Sequence, residues 1–159
     1  MEQKRHPSVL EGVVRWIGRS AHPRAGIESV DQVSVTAKEG ILGDHHGTKG
    51  RGNRQVTLIQ WEHLNVVSQL LDRPVNPEDV RRNIVVSGVN LFDFQERMFF
   101  VGSVCLQGTG LCDPCLRMEE NLGAGGLHAM QGHGGITARV IGDGIISVGD
   151  VLKYEASSE

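Results

Sequence analysis

The feature that most constrains the fold is a series of short β-rich runs separated by turn residues. Seven such runs recur along the chain, at 9–17, 32–36, 55–60, 84–86, 98–107, 136–141 and 145–151. Apolar and β-branched residues dominate the runs, and glycine and aspartate lie between them. Many short strands at this spacing are typical of all-β proteins. The sequence therefore predicts a mostly β, mostly antiparallel barrel or sandwich.

The last two runs flank a strong turn signal, Gly142-Asp143-Gly144. An Asp-Gly step between two β-rich segments is typical of a tight hairpin. We therefore predict that the runs 136–141 and 145–151 pair with each other.

Two segments carry a helical pattern instead. In the segment 61–71 the apolar residues recur on one face at helical spacing, as Trp61, Leu64, Val67 and Leu71. Arg73-Pro74 ends this pattern, because proline cannot continue a helix. A shorter helix is predicted from Asn76, a favoured N-cap, with Pro77 at the first helical position. It delivers the run Arg81-Arg82-Asn83 to the start of the next strand.

Composition limits the function classes. A chain of 159 residues is long enough for one self-sufficient core, and we predict a single domain over 1–159 with its core at 8–154 and disordered tails at 1–7 and 156–159. The net charge of -3 lacks the basic excess of nucleic-acid-binding proteins. No segment resembles a signal peptide or a membrane span. We expect a cytoplasmic protein that binds neither nucleic acid nor a membrane.

The sharpest chemical feature is Cys112-Asp113-Pro114-Cys115, just past a predicted strand and before the helix-compatible stretch 116–121. A thiol at the start of a helix meets unpaired N–H groups, which lower its pKa and favour the nucleophilic thiolate. Cys115 is the better placed of the two thiols. Cys105 lies within a predicted strand and is expected to be a core residue.

Two other chemical interpretations compete for this pair. The spacing Cys112-x2-Cys115-x12-His128-x4-His133 matches a zinc finger, but Glu119 stands near an expected core position and glycines crowd the last histidine. We therefore expect no zinc. The Cys-x-Pro-Cys pattern also matches a dithiol redox pair, although such pairs open a helix within a βαβ unit. This interpretation, like that of two buried structural cysteines, stays open.

Five blocks taken in order resemble the MOSC (molybdenum cofactor sulfurase C-terminal) domain family over about residues 10–153. The blocks are Gly40-Ile41-Leu42-Gly43-Asp44-His45-His46-Gly47, Arg54-Gln55-Val56-Thr57-Leu58-Ile59, Arg81-Arg82-Asn83-Ile84-Val85-Val86-Ser87-Gly88, Pro114-Cys115, and Gly134-Gly135-Ile136-Thr137-Ala138-Arg139-Val140 with Val148-Gly149-Asp150. The resemblance implies a MOSC-type β-barrel with a few short peripheral helices.

The resemblance also implies a site. The family's shared cysteine maps onto Cys115, which would ligate molybdenum or carry sulfur, and the expected cofactor is molybdopterin. Asp44 and His45 would orient the cofactor or exchange protons. The phosphate of the pterin requires polar groups, and the residues expected to bind it are Arg54, Thr57, Arg81, Arg82, Asn83, Gly134 and Gly135.

Two functions remain open on this basis. As an enzyme, the domain would reduce N-hydroxylated compounds with molybdenum and would need a separate electron-donor protein. As a sulfur transferase or carrier, it would accept sulfur on Cys115 from a donor protein and pass it to a metal–sulfur cofactor. A dithiol redox protein and a non-catalytic module that binds an anion or cofactor are the alternatives.

Overall fold

A computed structural model of the chain describes residues 9–22, 26–45, 52–114 and 116–155. Within these ranges the strands are β1 (Val9–Arg19), β2 (Glu28–Val30), β3 (Gln32–Thr36), β4 (Gly40–Ile41), β5 (Val56–Gln60), β6 (Ile84–Ser87), β7 (Met98–Val101), β8 (Val104–Leu111), β9 (Ile136–Val140), β10 (Gly144–Ser147) and β11 (Val151–Glu155). The helices are α1 (Trp61–Leu71), α2 (Pro77–Val80), α3 (Leu116–Leu122), α4 (Gly126–Met130) and a 3-10 helix at Leu91–Phe94. The predicted tails lie outside the described residues.

Seven strands close into a barrel in the order β11-β7-β8-β9-β5-β6-β1, and β1 pairs again with β11 to complete the ring. The strand β2 extends β1 outside the ring, while β10, β3 and β4 form a separate small sheet. The prediction of a mostly β barrel with short helices is confirmed.

One barrel contact is parallel, between β5 and β6, with Leu58 opposite Ile84. Parallel neighbours need a crossover connection, and here α1 and α2 supply it. The crossover matters for the site because it places the run Arg81-Arg82-Asn83 directly before β6 at one end of the barrel.

Two predicted runs were wrong in detail. The run 98–107 is two strands, because the chain turns at Gly102, whose φ is 59°. The run 145–151 divides into β10 and the start of β11. Within it, the N–H of Val148 bonds to the carbonyl of Asp31.

The predicted hairpin at Asp143 was also wrong, since β10 pairs with β3 and not with β9. The Asp143 carboxylate instead accepts a hydrogen bond from the N–H of Ala37 at 2.9 Å. The Asp143 side chain therefore joins its own turn to the distant turn that contains Ala37.

The two predicted helices are confirmed. The helix α1 has the predicted bounds, and α2 begins at Pro77 with the Asp79 carboxylate accepting from the N–H of Asn76 at 2.9 Å. The helix α4 was not predicted, because Gly126 at its start weakens helices. A Cβ at Gly126 would lie 2.6 Å from Cβ of Leu122, so glycine is what allows α4 to pack closely on α3.

Two apolar clusters hold the fold together. The larger fills the barrel with buried residues such as Leu58, Phe94 and Ile136. The smaller lies outside the barrel wall and fastens the helices to it, through the buried residues Ile59, Leu64, Val67, Val80, Val85, Met118, Leu122, Ala129 and Met130. Each large side chain buried there contributes about 1.5–3 kcal/mol. This second cluster fixes α3, the helix that directly follows Cys115. None of the helices in the described ranges is long and apolar enough to span a membrane.

Candidate functional site

Polar residues from three segments meet around Ser20, just after β1. The buried carboxylate of Asp44 accepts a hydrogen bond from the N–H of Ser20 at 2.8 Å. It also accepts from the amide nitrogen of Asn83 at 3.3 Å. The chain after β4 is thereby tied to the turn before β6.

The side chain of Asn83 forms hydrogen bonds to several chain segments, and the residue is 2% exposed. Its side-chain oxygen accepts from the N–H and the hydroxyl of Thr57, at 3.0 and 3.1 Å. Its amide nitrogen donates to the carbonyl of Gly18 at 3.1 Å. In such a setting a buried amide holds its neighbours in one arrangement, because breaking any bond leaves a desolvated polar atom.

His45 and Arg81 complete this group. Both the N–H and the ring Nδ1 of His45 approach the carbonyl of Ser20, at 2.8 and 3.1 Å. Since a carbonyl only accepts, the ring Nδ1 of His45 is the donor in this contact. The half-buried guanidinium of Arg81 donates to the Ser20 hydroxyl at 3.4 Å. We call Ser20, Asp44, His45, Thr57, Arg81 and Asn83 the Ser20 cluster.

The neighbouring residue Arg82 points to a different place. Arg81 adopts a left-handed conformation with φ 57° at the end of α2, and this bend sends the two successive side chains in different directions. The buried Arg82 guanidinium donates to the carbonyls of Gly134 at 2.8 Å, Cys112 at 3.1 Å and Val80 at 3.3 Å.

Gly134 and Gly135 occupy positions that no larger residue fits. A Cβ at Gly134 would lie 2.4 Å from the carbonyl oxygen of Cys112. At Gly135 the φ is 86°, and a Cβ would lie 1.9 Å from the carbonyl oxygen of Leu58. Both glycines are therefore explained by close approach between backbone segments.

A cavity of about 290 Å³ opens beside these glycines. Its lining residues are Phe92, Leu111, Asp113, Gly132, Gly134 and Gly135, and we call it the Asp113 pocket. Its volume lies at the lower end of the range for small-molecule sites. Asp113 thus forms part of a pocket wall two residues before Cys115.

Two histidines adjoin this pocket. The rings of His63 and His133 meet edge to face with centroids 5.1 Å apart, and His63 also lies against Phe92. Burial, followed by the nearby His133, lowers the pKa of His63, although Glu62 opposes this. Among the described residues nothing hydrogen-bonds the buried Nδ1 of His63.

The family model of the MOSC domain matches residues 42–153, which is more than half of the chain. The chain belongs to the MOSC domain family. No curated protein matches the sequence. The family match covers the Asp44, Thr57 and Arg81-Arg82-Asn83 segments and Cys115 of this MOSC domain, but it begins after Ser20.

Solved structures share the fold. YuaD from Bacillus subtilis superposes with a TM-score of 0.81 at 18% identity, over 96% of this chain and 100% of that one. YiiM from Escherichia coli gives 0.69 at 17% identity, over 92% of this chain and 72% of that one. YiiM from Geobacillus stearothermophilus gives 0.68 at 17%, over 91% and 73%. At this identity the comparison establishes the fold.

The structure divides the predicted site residues of this MOSC domain into groups. It joins Asp44, His45, Thr57, Arg81 and Asn83 in the Ser20 cluster, and it joins Arg82, Gly134 and Gly135 to the Asp113 pocket. Arg54 is exposed. Cys115 and His46 lie outside the described residues.

Sequence reasoning missed two participants. Ser20, at the centre of its cluster, carries no local signal, because only its backbone and hydroxyl contacts with distant residues give it a role. Phe92 lines the pocket from the 3-10 helix, where its apolar side chain fits an ordinary core pattern. His63 on α1 is half-buried, and its ring contacts that of His133.

The two cysteines among the described residues are Cys105 and Cys112. Cys112 is 3% exposed, and its N–H donates to the carbonyl of Gly135 at 2.9 Å. Cys105 is half-buried on β8, and burial raises the pKa of its thiol. Both environments disfavour a reactive thiolate. Among the described residues, no three or more His, Cys, Asp or Glu side chains form a group that suits a metal ion.

Proposed function

We propose that this MOSC domain handles the molybdenum cofactor or its sulfur at Cys115, beside the Asp113 pocket. The observation that carries the proposal is that Asp113 lines a cavity two residues before Cys115. The family match supports a molybdopterin-type ligand. A soft thiolate suits both molybdenum and sulfane sulfur.

The donor set fits such a ligand in two respects. The Asp113 pocket offers room for one small group two residues before Cys115, and the half-buried Arg81 offers a forked cation of the kind that binds phosphate. The cofactor, when bound, would supply a redox-active metal. His45 would exchange a proton with the ligand. Asp44, Asn83 and the buried Thr57 would hold the cluster in place through their mutual hydrogen bonds, and the exposed Arg54 would contribute a further polar contact.

Sulfur transfer is the form of the proposal that needs no electron donor. The Cys115 thiolate would attack the outer sulfur of a persulfide on a donor protein. The S–S bond of the donor breaks, the donor thiolate leaves, and the persulfide is now on Cys115, without net oxidation. The reductase form requires a separate electron-donor protein. Both partners are expected in the cytoplasm.

One experiment separates these forms. Wild type, Cys115→Ser and Cys112→Ser proteins are purified from a molybdopterin-competent host, analysed for molybdenum and visible absorption, and treated with glutathione persulfide before mass spectrometry. Retained molybdenum supports cofactor binding, and a mass gain of one sulfur on Cys115 supports the carrier. Cys115→Ser should abolish both, whereas Cys112→Ser should be milder.

The alternatives predict different outcomes. Equal damage by the two substitutions, with a reversible Cys112–Cys115 disulfide in the purified protein, would replace the proposal with dithiol redox chemistry. Wild-type protein that neither retains molybdenum nor accepts sulfur would contradict the proposal outright.

A further inference from the structure

Arg82 makes contacts that phosphate binding does not require. Its side chain is 5% exposed. Three different guanidinium nitrogens donate to three backbone carbonyls: Nε to Gly134, Nη2 to Cys112 and Nη1 to Val80. The arginine fork therefore joins three chain segments at one point.

Two of these carbonyls belong to the two chain segments, 111–113 and 132–135, that supply five of the six lining residues of the Asp113 pocket. Gly134 lines the pocket itself, and Cys112 directly precedes the lining residue Asp113. A further bond, from the N–H of Cys112 to the carbonyl of Gly135 at 2.9 Å, joins the same segments. One buried cation therefore helps to hold the two segments at a fixed spacing, three residues before Cys115.

We propose that Arg82 is a positioning residue that clamps these two segments of the Asp113 pocket and so sets the environment of the Cys115 thiol. The inference rests on the proposed function of Cys115 and adds a role beside the phosphate binding predicted for Arg82. Only arginine can act in this way, because its planar fork donates in several fixed directions while lysine offers a single point charge.

The test compares Arg82→Lys and Arg82→Ala with a control, Arg139→Lys, on an exposed arginine of β9 whose Nε bonds to Gln107. Two quantities are measured on purified protein: hydrogen exchange at the Cys112 amide, and the pH dependence of Cys115 alkylation by iodoacetamide. Both Arg82 variants should exchange the Cys112 amide about tenfold faster, the scale of one charged hydrogen bond. In both variants the pH dependence of Cys115 alkylation should move towards that of an ordinary thiol, whose pKa is about 8.5.

Gly134→Ala provides a second way to separate the Cys112 and Gly134 segments, should Arg82→Ala fail to fold. Its Cβ would lie 2.4 Å from the Cys112 oxygen and would push the segments apart. It should move the Cys115 profile in the same direction. The control should move neither quantity.

An alkylation profile that stays unchanged in folded Arg82→Lys would overturn the inference, even if amide exchange rises, because Arg82 would then be merely structural. Neither readout requires a cofactor or a sulfur donor. If Cys115→Ser retained function while Arg82→Lys moved the profile, the proposed function would fail and the clamp would stand.

Discussion

The Ser20 cluster and the Asp113 pocket receive adjacent arginines from one turn, yet they are built differently. In the Ser20 cluster, side chains such as Asp44 and Asn83 are buried and hydrogen-bonded to one another. In the Asp113 pocket, three of the six lining residues are glycines, and the neighbouring Arg82 guanidinium donates to the backbone carbonyls of Gly134 and Cys112.

This difference suits the Ser20 cluster to a structural role and the Asp113 pocket to ligand binding. A closed network of satisfied polar groups holds segments in place but leaves little capacity for a ligand. An open cavity with a glycine wall accepts one. We therefore propose that the chemistry takes place at the pocket and Cys115, and that the Ser20 cluster holds Arg81 and His45 in place at its edge.

The largest expected effect comes from the glycine wall. Gly135→Ala should destabilise the protein by about 4 kcal/mol or more, because overpacking against the Leu58 carbonyl adds to the strain of a positive φ. Gly132→Ala is the matched control, since Gly132 also has a positive φ of 81° but a Cβ added there would meet no atom within 4 Å. Denaturant unfolding of both variants measures the contrast, and equal losses would refute the close-approach explanation.

The next effect tests the closed network. Asn83→Ala removes the side-chain oxygen that Thr57 bonds to twice and one partner of Asp44, so it should cost about 2–4 kcal/mol in the free energy of unfolding. Asn65→Ala, on the exposed face of α1, should stay within about 0.5 kcal/mol. Chemical denaturation distinguishes them. If Asn83→Ala were as mild as the control, the Ser20 cluster would not be a support.

Arg81 tests whether the edge of the Ser20 cluster binds the ligand. Arg81→Ala should weaken retention of the molybdopterin-type cofactor by about 1.5–3 kcal/mol, as expected for a charged hydrogen bond. Arg81→Lys should rescue only part of this, because lysine keeps the charge but loses the fork. Cofactor retention on dilution is the measurement. Retention equal to wild type in Arg81→Ala would remove Arg81 from the site.

The smallest effect concerns His63, beside the pocket. Its folded-state pKa is lowered, mainly by burial, so the unfolded chain binds the extra proton more readily. The neutral His63 side chain therefore does not lower the free energy of unfolding above the unfolded-state pKa of about 6.5. As the pH falls below that value, the free energy of unfolding decreases, because the unfolded chain takes up the proton first. Melting temperatures between pH 7.5 and pH 5 should fall less steeply for His63→Phe, which keeps the ring contact with Phe92. Parallel slopes in the two proteins would contradict this.

The sequence pattern was enough for a mostly β fold and for α1, because β-rich runs and a helical apolar stripe are local signals. The choice of a barrel over a sandwich came from the family resemblance. The pattern failed where distant contacts decide the structure. Asp143 has a hairpin sequence, but its carboxylate accepts a hydrogen bond from the N–H of Ala37. Gly126 begins a helix at a point where a larger residue would clash with Leu122.

The site shows the same division. The order of the sequence motifs was enough to identify most of the polar residues in both regions, because residue types at fixed spacings can be recognised in the sequence. It did not reveal that Arg81 and Arg82 diverge, because this depends on the left-handed backbone at Arg81. Nor did it find Ser20, whose role exists only through contacts with Asp44 and His45.

The central claim is that Cys115 is the reactive thiol of this MOSC domain, and the rates at which the three cysteines alkylate test it most directly. Limiting iodoacetamide is added to the native protein near neutral pH, and peptide mass spectrometry follows each thiol over time. Cys115 should react first, Cys105 more slowly because burial raises its pKa, and Cys112 slowest because it is buried. Faster modification of Cys105 or Cys112 than of Cys115 would contradict the account.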